Sequence, residues 1–215
     1  MIRNTPQWMG LIGLLAFSGT ASARTIVLKP TDMDMMAALA AEAPRYSWAS
    51  YQTSPGFFKN DSVQATAGHG FLLRYALDKI PKEDRVTYAE WDIPVASFNP
   101  PPQVRLYIWR ITAEWGAGVS HLFRMIYPKK LEWAMPGARG NSSDRTTKPS
   151  NVLRISESGE KTINVTEDVE LWHRGAAPNY GWMISVEDPG VLIGLQSPFY
   201  DGRASWNLRI TYEPQ

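Results

Sequence analysis

The chain has 215 residues, 22 lysines and arginines against 21 aspartates and glutamates, and no cysteine. Disulfide stapling and cysteine-based zinc sites are excluded, and the balanced charge suggests neither a nucleic-acid footprint nor a polybasic membrane patch, since both need clustered cations. A chain of this length can bury one ordinary hydrophobic core.

Residues 1–23 read as a secretory signal peptide. Arg3 is the only charge, an apolar run covers 9–17, and Ala21-Ser22-Ala23 offers a small-x-small cleavage pattern. The run is shorter than the ~20 apolar residues of a stable spanning helix. The expectation is an exported soluble protein beginning near Arg24, extracellular or periplasmic, with no stable membrane insertion after cleavage. Removing the leader takes away Arg3 and no acid, which leaves 21 cations and 21 anions.

Residues 24–215 read as a single domain. The first element is expected to be a short helix over 32–43, because this stretch is rich in Ala, Met and Leu, follows Asp32 as a cap and ends before Pro44. Short aromatic and β-branched strands follow at 71–77, 86–93, 104–111, 161–165, 181–186 and 206–212, several of them alternating with period two. Turn formers such as Pro81, Ser158-Gly159 and Asp188-Pro-Gly190 separate them. Such a pattern points to an all-β sandwich or barrel. The longest loop covers 134–151. The densest stretch is 164–185, which passes through a short amphipathic turn, breaks at Gly175 and Pro178 and re-enters a strand at Trp182. Val165, Val169, Leu171, Trp172 and Trp182 are its expected core anchors.

Read in order, several of these pieces resemble the secreted bacterial and archaeal DNRLRE-type domains, related to carbohydrate-binding modules and to disaggregatase-associated repeats. Segment 69–81, His-Gly-Phe-Leu-Leu-Arg-Tyr-Ala-Leu-Asp-Lys-Ile-Pro, is similar to the family's entry strand, and 105–115 to a later one ending in Trp115. Segment 133–144, Trp-Ala-Met-Pro-Gly-Ala-Arg-Gly-Asn-Ser-Ser-Asp, looks like its W-x-x-P-G-A-x-G-x-x-S-D loop. Segment 164–182 resembles its D-V-T…W…G…N-y-G-w stretch, with Asn164 in place of the usual Asp, and 208–214 its closing strand. The resemblance spans roughly 26–214. It implies a jelly-roll β-sandwich and an exported carbohydrate-binding or cell-envelope role.

The candidate ligand-binding residues are Trp133, Arg139, Asn141, Asp144 and Arg145, gathered at the long loop. Trp133 lies at its mouth, where an indole could stack on a pyranose face. The two arginines could meet the carboxylates of an acidic polysaccharide through bidentate bonds. The same composition fits a solvated loop whose Asp144 bonds its own backbone. Asp144 with loop carbonyls is also the one candidate for a structural Ca²⁺, a thin signal because such sites use about six to eight oxygens. Trp115, Trp172 and Trp182 fit the core better than a platform. His69, His121 and His173 are widely spaced and show no metal-binding pattern. Glu90 and Asp92 share a strand face, which is expected to be solvated. No catalytic residue is assigned. The expected partner is a polysaccharide or cell-surface glycan; a structural or adhesion module without a glycan site, and a polysaccharide hydrolase or lyase on the same scaffold, are the alternatives.

Overall fold

Alternation of large apolar with other side chains governs the architecture, as seen in a computed structural model that describes residues 22–51, 62–100, 102–199 and 205–215. The expected leader falls almost wholly on 1–21, outside the described residues. The strands are β1 (Arg24–Leu28), β2 (Met33–Ala40), β3 (Trp48–Tyr51), β4 (Ser62–Thr66), β5 (His69–Tyr75), β6 (Asp84–Asn99) and β7 (Val104–Arg110). There follow β8 (Phe123–Met125), β9 (Leu131–Glu132), β10 (Asn151–Ile155), β11 (Gly159–Asn164), helix α1 (Thr166–His173), β12 (Trp182–Ser185), β13 (Leu192–Gln196) and β14 (Leu208–Pro214). The fold is all-β and sandwich-like, a curled antiparallel sheet with one α-helix among the described residues.

Strand β6 carries the curl. Its first half pairs with β14 on one edge, and residues 90–95 pair with β11 on the other. Beyond Pro94, which has no N–H to give, the edge vacated by β14 is taken by β13, and β13 leads through β4 to β5. From there β3-β2-β5-β12-β7-β10 run side by side.

The inner face of the sandwich is an aromatic core. Trp91 and Trp182 stack at 5.0 Å, Trp172 lies tilted against Trp182 at 4.6 Å, and Tyr75 meets Trp91 edge-on. Each such pair contributes about 0.5–1.5 kcal/mol beyond its area. Two of the indoles are satisfied as burial demands, Trp91 donating to the Tyr75 hydroxyl at 3.1 Å and Trp206 to the Gln196 carbonyl at 2.7 Å, whereas the buried Trp172 N–H has no partner among the described residues.

A second core lies on the opposite face of β2, β5, β7 and β12. There Ala37, Leu39, Leu72, Trp109 and Met183 are covered by Ile111, Trp115, Val119, Trp133 and Ala138 from the segment after β7. Alternate residues of these strands therefore enter different cores: Phe71 and Leu73 go inward, Leu72 outward.

This double burial corrects the expected helix over 32–43. Residues 33–40 form β2, with Met36 and Ala38 in the inner core and Ala37 and Leu39 in the outer one. A strand buried on both faces needs an unbroken apolar run, and that is also what a helix-prone Ala/Met/Leu segment looks like; tertiary burial overrides a propensity of tenths of a kcal/mol. The helix sits instead at 166–173. It ends where Gly175 (φ 70°) and Ala176 donate to the carbonyls of Trp172 and Leu171, a Schellman closure that explains the glycine. Its buried anchors are Val165, Val169 and Trp172, while Leu171 is half-exposed.

Candidate functional site

The loop 133–145 folds inward on itself. The Asp144 carboxylate accepts N–H bonds from Ala134 and Met135, both 2.9 Å, and from Gly140 at 2.8 Å. Gly140 is required there, since a Cβ would collide with that carboxylate and with Ser143. Trp133 is buried in the outer core, its indole donating to the Ser120 carbonyl at 2.9 Å. Arg145 is 6% exposed; its guanidinium lies 3.7 Å over the Trp109 ring and donates to Glu187 at 3.0 Å. Burial pulls the Arg145 pKa down and Glu187 opposes the shift. Arg139 is half-buried and donates to the Ala67 carbonyl; Asn141 is exposed.

These placements correct the expected site. Trp133, Asp144 and Arg145 cannot meet a glycan, because their faces and polar ends are used to hold the outer core and its loop. Asp144 has both oxygens engaged by backbone donors, and among the described residues no three acids or histidines converge as a metal-binding group. Only Asn141 keeps an open position.

Asp92, Glu90 and two of the three histidines are also committed. Asp92 is fully buried rather than solvated, clamped by Arg209 through bonds of 2.7 and 2.6 Å and by the Thr162 hydroxyl. Arg209 also bonds Glu90 at 2.6 Å and holds the Glu90 carboxyl below its usual range. His69 pairs with Glu42 at 2.8 Å, and His173 bonds the Asp84 carbonyl. Burial, followed by the charge of Arg139, lowers the His121 pKa.

One polar cavity, about 520 Å³, borders the loop and is lined by Glu114, Arg124, Glu132, Ser143, Asp144 and Tyr180 among others. Another, more enclosed, lies where the segment after the loop passes the start of α1. It is a notch of about 390 Å³ lined by Arg110 at the end of β7, by residues 146–150, and by residues 164–168. Its floor is the Asp168–Arg110 ion pair, 2.9 Å. The Trp182 indole donates to the same carboxylate at 2.7 Å, which ties the floor to the inner core. Burial pushes the Asp168 carboxyl up, and bonds from Ser150, Trp182 and Arg110 work against that rise.

The notch is held from both sides. The Thr146 N–H donates to the Arg110 carbonyl and its hydroxyl to the Lys148 carbonyl, fixing one wall. On the other, the Thr166 N–H donates to the Asn164 side chain at 3.0 Å, and the Thr166 hydroxyl accepts from the Ala89 N–H at 2.8 Å. Thr147, Lys148, Ser150, Asn164 and Glu167 are left exposed around the rim.

Sequence reasoning missed this cavity, although one signal was present. Val165, Asp168, Val169 and Trp172 occupy i, i+3, i+4 and i+7, so Asp168 is an acid on an apolar helical stripe. Such a residue needs a buried cationic or N–H partner, and Arg110 and Trp182 supply it.

A scan of the chain against protein-family models finds no match, and no curated protein matches it.

Proposed function

We propose that this is an exported, non-catalytic β-sandwich protein that binds carbohydrate, and that the notch between residues 146–150 and α1 is its binding site. The observation that carries the reading is the lining of that cavity. Hydroxyls of Thr146, Thr147 and Ser150, the Asn164 amide, the carboxylates of Glu167 and Asp168 and the cations Arg110 and Lys148 surround a space within the usual size range of small-ligand pockets, roughly 300–1,000 Å³. A sugar offers several hydroxyls that both donate and accept, and a lining of mixed donors and acceptors matches that chemistry. The pre-formed ion pair beneath limits the cost of ordering the site. The leader-like residues 1–23 and the DNRLRE-like order of motifs support the same reading of export and carbohydrate binding.

The test is a glycan array probed with residues 24–215, with and without EDTA, followed by titration of any hit against Lys148→Ala and Thr147→Ala. Binding that is EDTA-insensitive and weakened about tenfold or more by these rim changes is expected. No binding across the array, or binding indifferent to the rim, would overturn the assignment.

A further inference from the structure

We infer that the tip of the β8–β9 hairpin docks the protein on an anionic lipid surface. Residues 126–130, Ile-Tyr-Pro-Lys-Lys, are all exposed, although they include two large side chains of the kind otherwise used for the cores. Tyr127 is 74% exposed and Ile126 43%. From Arg124 through Leu131 there are three cations, Arg124, Lys129 and Lys130, and no acid.

The base of this projection is fixed. The N–H groups of Ile126 and Tyr127 both donate to the Ala117 carbonyl, at 2.8 and 3.3 Å, and the Gly116 N–H donates to the Arg124 carbonyl at 2.9 Å. The Lys130 ammonium lies 4.5 Å over the ring of Phe123, which is buried at the hairpin's root. An anchored apolar tip flanked by lysines is suited to the boundary between headgroups and acyl chains. Tyrosine puts its ring in the apolar zone and its hydroxyl in the polar one, and lysine stems lie along apolar surface while their charges reach the headgroups.

Charge complementarity selects the occupant. A second copy docking through the same tip would set like cations face to face. An anionic bilayer supplies the opposite sign together with an apolar layer for Ile126 and Tyr127. The contact is peripheral, and among the described residues no helix is long and apolar enough to cross a membrane. This inference does not rest on the notch, which lies on other segments of the chain.

The experiment is co-sedimentation of residues 24–215, which contain every described strand, with large vesicles of phosphatidylcholine and phosphatidylglycerol in equal parts, against phosphatidylcholine alone. Partition onto the anionic vesicles is expected, weakening as salt is raised. Lys129→Ala and Lys130→Ala should each reduce it about fivefold, and Tyr127→Ser should reduce it further at constant charge and with unchanged melting. Absence of partition, equal partition onto phosphatidylcholine alone, or indifference to all three substitutions would overturn the inference. So would concentration-dependent dimerisation in lipid-free solution that Tyr127→Ser abolishes, since that would assign the tip to a second copy.

Discussion

The loop 133–145 and the notch beside α1 draw on the same kinds of residue and use them in opposite ways. In the loop, Asp144 and Arg145 turn inward: one organises backbone N–H groups and the other lies on Trp109. Below the notch, Asp168 and Arg110 are also paired and Thr146, Ser150 and Asn164 bond within the chain, but Thr147, Lys148 and Glu167 keep exposed polar side chains at the rim. A buried charge in the first case closes a core, and in the second it forms the floor of an open space. Polar composition alone does not make a site; what matters is whether donors and acceptors are consumed by the chain itself.

The contrast is broken most directly at Asp144. Asp144→Ala strands three backbone donors, and with charge-assisted bonds each worth about 1.5–3 kcal/mol, less what water restores, a loss of about 4 kcal/mol is expected in denaturant unfolding. Carbohydrate affinity of the protein that remains folded should not change. An equal fall in affinity would mean that the loop serves binding after all.

Asp168→Asn keeps an acceptor for Trp182 and removes the charge facing Arg110, so a smaller loss of about 2 kcal/mol is expected, together with loss of carbohydrate binding. Retained affinity would separate the notch floor from the site. Arg145→Lys replaces a planar cation over Trp109 by a point charge. It should cost about 1 kcal/mol in thermal unfolding, again without touching affinity.

Acidification gives a weaker effect. The folded protein depresses the His121 pKa, whereas an unfolded histidine titrates near 6.5, so below about that pH the unfolded chain holds more protons. Stability is therefore full above that pH and declines as pH falls towards the lower folded value. His121→Gln should flatten this part of a stability–pH curve. For Glu90, whose carboxyl Arg209 holds low, the contribution is present above about pH 4.3 and lost as pH falls through its folded value. The smallest stability change belongs to Lys148→Ala on the notch rim, within about 0.5 kcal/mol. Affinity is the property it should alter.

Some elements were legible because their cause is local. All six expected strands are present, with ends shifted by at most two residues except in β6, which runs six residues past its expected end; aromatic and β-branched runs bounded by turn formers mark them. Gly175 marked the end of α1 through its left-handed φ. Gly181 (φ 75°) in the Asn-Tyr-Gly-Trp segment combines a local reason, its left-handed φ and the Asn179 side chain accepting its N–H, with a tertiary one: a Cβ there would strike the Leu73 carbonyl of β5. Strands β1, β4, β10 and β13, at five residues each, did not stand out because, unlike the still shorter β12, they carry no aromatic residue.

By itself, then, the sequence determined an all-β chain without disulfides, most of the central strands and two aromatic residues of the inner core, Trp172 and Trp182, since these follow from residue type and near-neighbour spacing. Only the tertiary structure decided that 33–40 is a strand, that Trp133, Asp144 and Arg145 face inward, and that an open polar cavity lies beside Arg110 and Asp168. Those outcomes depend on what packs against a residue's second face, and a period along the chain reports only its own side.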